Sequence, residues 1–178
     1  MKAVIDTNVL RIASGQHDEV SPDCVSECVR QLQAMQRSGV AIVDDGYRIL
    51  GEYLKNPSLL KTNEVGGQFL KWLLQNQGNQ TRLELVPLTE TEKDRFVEFP
   101  DPELEIHFDP PDRKFVAVAY AHHEKPPVWQ AGDCKWLDWW PALKIHGVSV
   151  EFLCTNDASK FYKKKFPRKP LPVFPGKD

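Results

Sequence analysis

A chain of 178 residues has the length of one domain with a substantial core. Its 41% hydrophobic and 27% charged residues are those of an ordinary soluble globular protein, and a net charge of −2 excludes a surface that is basic all over, though not a local basic face. No apolar run approaches the about 20 residues of a membrane helix, and Met1 and Lys2 lead straight into a strand-like stretch rather than a signal segment. Cytoplasmic residence is the resulting expectation. Cys24 and Cys28 lie four apart in a helical pattern, with Cys134 and Cys154 far away. No Cys-x-x-Cys pair occurs, so the cysteines are expected to be small buried hydrophobes rather than a zinc ribbon or a disulfide scaffold.

Ala3, Val4 and Ile5 predict a short buried strand ending at Asp6. Ser21 and Pro22 supply an N-cap and a proline at the first helical position. Val25, Cys28, Val29, Leu32 and Met35 follow at helical spacing until Gly39 stops the helix. Residues 40–43 predict a second strand. Residues 45–55 predict a helix with Ile49 and Tyr53 inward, joined by Leu50 and Leu54, and Asn56-Pro57 breaks it. Residues 66–75 predict another, with Phe69, Leu70, Leu73 and Leu74 apolar. Residues 83–86 alternate as a strand, and residues 89–92 open a short helix with a capping box.

Residues 100–111 hold four prolines and four acids and predict a loop. A helix follows from near Pro111 through Phe115, Val116, Val118, Ala119 and Ala121 to His123, and Pro126-Pro127 ends it. His122 and His123 are helix-end residues in this scheme. Residues 128–131 predict a strand with Asp133 just past its end, and residues 148–153 the last strand. Trp136, Trp139 and Trp140 predict core or a homodimer surface, with base stacking as the other use of exposed aromatics. Residues 160–178 carry Lys160, Lys163, Lys164, Lys165, Arg168, Lys169 and Lys177 among four prolines and four aromatics. They predict an extended basic tail, which divides the chain into a domain at 1–159 and a tail at 160–178.

Strands alternating with helices predict a single-domain α/β fold, with a largely parallel central sheet flanked by helices in three Rossmann-like layers. In such sheets the site lies beyond the carboxyl ends of the strands. Asp6 and Asp133 lie there, while Glu52 and Asp112 sit near helix starts. Carboxylates folded into one cluster repel each other and call for a divalent metal. Hard oxygen ligands suit Mg²⁺ or Mn²⁺, and such a metal beside a phosphodiester points to a nuclease. Each acid also has an ordinary reading. Asp6 could cap a turn, Asp112 could face a helix dipole, Asp133 could be a Gly-Asp turn residue, and Glu52 could be a solvated helix charge. Asp109 is read as a loop acid able to reach a metal through water.

The ordered set resembles the PIN-domain family of metal-dependent ribonucleases over roughly residues 3–153. Val4-Ile-Asp-Thr-Asn-Val-Leu10 is similar to its first motif, Gly51-Glu52-Tyr53 to its second, and Asp112-Arg-Lys-Phe115-Val-Ala-Val-Ala119 to its third. Ala131-Gly132-Asp133 is similar to its fourth, with two departures. The family often has Thr where Ala131 stands, and a further aspartate where Lys135 stands. The resemblance implies an Mg²⁺- or Mn²⁺-dependent endoribonuclease whose metal is held by Asp6, Glu52, Asp112 and Asp133, with Thr7 and Asn8 in support. Lys114, Lys163, Lys164, Lys165 and Arg168 are the candidate contacts to RNA phosphates. Many relatives are toxins of toxin–antitoxin pairs, which makes an antitoxin protein the expected partner. The alternative is a catalytically silent module that keeps the fold for RNA or protein binding.

Overall fold

The computed structural model describes residues 1–61 and 63–176. The apolar strand runs of the sequence meet side by side. β1 (Lys2–Ile5) lies at the centre, with β2 (Val40–Asp44) and β3 (Leu83–Val86) on one side. β6 (Val128–Gln130) and β7 (Val150–Phe152) lie on the other, giving the order β3-β2-β1-β6-β7 with all neighbours parallel. The register sets Ile5 against Trp129, so both central strands end at the same edge. Ala3, Val4, Ile5 and Val128 are buried on both faces, as continuous apolar runs in a covered parallel sheet require. This is a three-layer α/β domain, as the sequence predicts.

On one side α1 (Thr7–Ala13), α2 (Pro22–Ser38) and α4 (Val65–Gln75) pack on one another. α2 buries Cys24, Cys28, Leu32 and Met35, and the Ser21 hydroxyl accepts the Cys24 N–H. Gly66 lets α4 approach α1: a Cβ there would stand 2.3 Å from the Leu10 carbonyl oxygen. α6 (Arg113–Ala121) packs against β1, β2 and β6 and buries Phe115 through Ala119. α3 (Arg48–Leu54) follows β2. Its amides at Arg48 and Ile49 donate to the buried Asp44 carboxylate, and its Tyr53 hydroxyl donates to the Ile5 carbonyl. That last bond ties α3 to the end of the central strand.

The structure departs from the sequence reading in several places. Residues 90–92 form β4 (Glu90–Glu92), paired antiparallel with β5 (Arg95–Phe96), not a capped helix. Thr89 and Glu92, spaced for a capping box, flank Glu90, which accepts from the Arg48 guanidinium and the Asp94 N–H and so fixes the turn. The acid-rich stretch 100–111 contains α5 (Pro102–His107), because Asp101 caps it by accepting from Glu103 N–H and Leu104 N–H. Leu54 and Leu74 face solvent, and β3 buries its two ends rather than alternating. Phe108 stacks on the partly buried Trp139 and meets the buried Trp136 edge-on at the start of α7 (Trp136–Ile145), which the sequence reading passes over.

α8 (Thr155–Lys165) runs unbroken across the boundary placed between residues 159 and 160. Its Phe161 and Tyr162 are buried, and the Tyr162 hydroxyl donates to Asp138 at 2.5 Å. The basic segment therefore begins as a packed amphipathic helix, not as an extended tail. Beyond it Val173 accepts the Trp140 indole N–H and Phe174 packs on Phe152, so the chain folds back on the domain. Lys177 lies outside the described residues. Cys24 and Cys154, expected as separate buried hydrophobes, form a disulfide that joins the starts of α2 and α8. Among the described residues no helix is long and apolar enough to cross a membrane.

Candidate metal centre

Each predicted acid is positioned by an identifiable piece of backbone. Asp6 follows β1 and is the N-cap of α1; its carboxylate accepts the Asn8 N–H at 2.8 Å, and its own N–H donates to Trp129 on β6. The Asp-Thr-Asn sequence thus ends a buried strand and starts a helix within three residues, holding a buried carboxylate rigidly at the sheet edge. Asp112 closes a 3-10 turn (Pro110–Asp112) in which its N–H donates to the Asp109 carbonyl. The two prolines fix that turn, so Asp109 and Asp112 return to one place. Asp133 follows Gly132, whose φ of 87° turns the chain sharply after β6. Its carboxylate accepts the Lys135 N–H. Glu52 stands on α3 with one oxygen taking the Thr7 hydroxyl and the other paired with Lys114.

These four acids come together. Asp6, Glu52 and Asp112 line one open cavity of about 410 Å³ with Thr7, Asn8 and Arg11. Asp109, Asp112 and Asp133 each offer an oxygen, and these lie within 4.8 Å of one another. Burial, with the charges of Glu52 and Asp133, pushes Asp6 up to about 7 against the pull of the Asn8 N–H. Burial, with the charges of Asp6, Asp133 and Asp109, pushes Asp112 up to about 8. Acids raised this far are held close to like charges in a poorly hydrated place.

Comparisons with protein-family models, with curated proteins and with solved structures found no match to this chain. The chemistry of the site rests on its own residues.

The donor set fits a hard divalent cation. Five carboxylates, counting Asp109, meet two lysines: Lys114 on Glu52 and Lys135 on Asp109. Asp6, Asp112 and Asp133 have no ion-pair partner among the described residues, and carboxylate oxygens are the ligands Mg²⁺ and Mn²⁺ prefer. Oxygens sharing one octahedral ion at about 2.1 Å stand up to about 4.2 Å apart, and those of Asp109, Asp112 and Asp133 are gathered within 4.8 Å of one another.

The basic residues fall differently from expectation. Lys114, read as a substrate contact, is buried and bound to Glu52 and the Pro111 carbonyl, so it supports the acids instead. Lys164 and Lys165 line a second cavity of about 430 Å³ with His17, Phe161 and Gly132, the residue before Asp133. Lys163 is exposed on the same helix, Lys164 pairs with Glu19, and Arg168 is exposed beyond the helix end. The sequence reading missed Arg11 and Lys55, which line the acidic cavity; their signal was only helical spacing from Asn8 and Glu52. It undervalued Asp109. The Asp-Pro-Pro-Asp spelling carries that residue's signal, since two prolines permit little but a tight turn.

Proposed function

We propose that this chain is a divalent-metal-dependent endoribonuclease of PIN-like design, with Mg²⁺ or Mn²⁺ held by Asp6, Glu52, Asp112 and Asp133, directly or through water. One observation carries the reading. Acids from four separate stretches of sequence converge beyond the carboxyl ends of the two central strands, and Asp6 and Asp112 share a cavity there. The order of motifs, similar to that family, supports the substrate class. Bound there, such an ion acidifies a water and offsets charge on a scissile phosphate.

The protein's own groups orient the parts. The Asn8 N–H fixes the Asp6 carboxylate. Thr7 and Lys114 clamp Glu52 from two sides, so it presents one geometry to the cavity. Arg11 and Lys55 line the same cavity and offer positive charge to the flanking phosphates. The exposed lysines of α8 extend that charge beside Gly132. The reading places the chain in the cytoplasm with its RNA. It also makes a small antitoxin protein, covering the acidic cavity, the expected regulator.

The built-in lysines favour a second reading. Lys114 and Lys135 neutralise two of the acids, and Lys135 stands where the family often places a further aspartate. In a silent module these lysines would replace the metal altogether. Incubating the full chain with a single-stranded RNA and millimolar Mn²⁺ or Mg²⁺ decides between them. Metal-dependent cleavage, with a rise in thermal midpoint on adding Mn²⁺, is the expected result. Absence of both leaves the silent module.

A further inference from the structure

Away from the acidic centre, three cysteines meet where two helices begin. Cys24 lies in the first turn of α2, Cys28 one turn later, and Cys154 directly before α8. All three are buried, and their sulfurs lie within 4.8 Å of one another. The Cys28 Sγ stands 3.8 Å from the Cys154 Sγ. Two thiolates on one tetrahedral Zn²⁺, each bonded at about 2.3 Å, are about 3.8 Å apart. The pair that is not disulfide-bonded is therefore already at the spacing of two ligands on one ion.

Burial, with the charges of Glu27 and Asp157, pushes the Cys28 thiol up to about 12, so its proton leaves only as an ion takes its place. One further feature distinguishes the cluster from a disulfide with a spare buried thiol. A cavity of about 270 Å³, lined by Ser21, Glu27, Asn156, Asp157 and the two bonded cysteines, opens onto the cluster. It gives a reductant and an ion a way in, and leaves room for a water or carboxylate as a fourth ligand.

We propose that Cys24, Cys28 and Cys154, once the disulfide is reduced, form a binding site for a thiophilic divalent cation of the Zn²⁺ class. A dithiol reductant of the cytoplasmic kind supplies the step. It delivers two electrons and two protons to the Cys24–Cys154 bond, which breaks into two thiols, while the reductant closes to its own disulfide. Cys24 then turns about χ1 to the spacing that Cys28 and Cys154 already hold. The three thiols release their protons to solvent as they bind the ion. The site stands independently of the acidic centre, whose oxygen ligands select harder cations.

Cd²⁺ titrated anaerobically into the full chain tests this, because the ultraviolet charge-transfer band of Cd²⁺ reports thiolate ligands and is blind to carboxylates. The reduced chain should take up one Cd²⁺ with that band, Zn²⁺ should displace it, and the oxidised chain should show no band. Cys28→Ser should weaken binding by about tenfold or more, since only two thiolates then remain, and Cys134→Ser should leave it unchanged. No band in the reduced chain, or a band undiminished in Cys28→Ser, overturns the proposal. So does a reduced chain that loses its circular-dichroism signature and fails to regain it with Cd²⁺. A measurement on the unaltered chain guards against a misfolded variant. Zn²⁺ should slow alkylation of Cys24, Cys28 and Cys154 but not of Cys134, and equal protection or none overturns the proposal.

Discussion

Lys114, a buried lysine at the start of α6, is ion-paired with Glu52, a partly exposed acid on the wall of the cavity. The sequence motif that supplies Asp112 thus also supplies the cation that steadies Glu52, two residues further along. Without Lys114 the acidic cluster loses one of its two compensating charges. Lys114→Met should lower the metal-free thermal midpoint. Removing one partner of a buried pair costs about 3–5 kcal/mol, and the exposure of Glu52 reduces that to about 1–3 kcal/mol. Millimolar Mn²⁺ should recover more stability in the variant than in the parent. Calorimetry with and without Mn²⁺ measures both, and a variant indifferent to Mn²⁺ would refute the charge-balance account.

Asp6→Asn and Asp112→Asn keep side-chain shape and remove a negative ligand. Each should abolish metal-dependent RNA cleavage while leaving the circular-dichroism spectrum unchanged. Each should also raise the metal-free thermal midpoint, because repulsion among Asp6, Asp112, Asp133 and Asp109 is relieved. Cleavage at parental rate by either variant, at equal metal, would remove that residue from the centre.

The raised acids set a pH dependence. Asp6 and Asp112 titrate near 7 and 8 in the folded chain and from 3.8 in an ordinary setting. Between those values the folded state binds protons that the unfolded chain does not. The stability this confers is complete below about pH 4 and is lost as pH rises through about 7 to 8. The metal-free midpoint should therefore fall more steeply from pH 5 to 8.5 in the parent than in the Asp6→Asn/Asp112→Asn double variant. Metal affinity should rise over the same interval, as ions replace protons on the carboxylates. Parallel midpoint curves for the two proteins would show that these acids are not raised.

Much of this was legible in the chain itself. Buried apolar triplets such as Ala3, Val4 and Ile5 fix strands whatever surrounds them, and acids at strand ends in a parallel sheet face one edge by topology alone. Ser21-Pro22 marked the α2 start for a purely local reason. The failures are equally physical. Thr89 and Glu92 have the right spacing for a capping box, but the guanidinium of Arg48, 42 residues away, claims Glu90 between them for a turn. The lysines of α8 hid a helix whose buried side is Asp157, Ala158, Phe161 and Tyr162, supported by partners on α7 and α2. Asp6 and Asp112 were found by motif, whereas Lys135 and Asp109 pair across 26 residues, beyond any local pattern.

Truncation after residue 159 cuts α8 after its first turn and removes buried Phe161 and Tyr162. Losing two buried aromatics costs about 3–5 kcal/mol each by large-to-small core measures. The truncated chain should be unfolded or should melt far below the parent. A truncated chain that melts with the full protein would restore the detached-tail reading.

The charges of α8 can be tested without cutting it. Lys163, Lys164 and Lys165 are exposed, and the latter two line the cavity next to Gly132 and so to Asp133. Changing all three to Gln keeps the helix, since Lys and Gln have similar helix propensity. Phosphate contacts release counterions, so each lysine that touches single-stranded RNA adds about 0.7 to the slope of log affinity against log salt. The variant should bind RNA more weakly at low salt and lose about 1.4 to 2.1 from that slope. The lower figure applies if Lys164 stays with Glu19, its ion-pair partner at 2.9 Å, and never reaches the RNA. Affinities at several salt concentrations, read with an Asp6→Asn background to prevent cleavage, give the slope directly. An unchanged slope with an intact fold would mean that α8 serves the core alone, and that the RNA is met by Arg11 and Lys55 on the other flank.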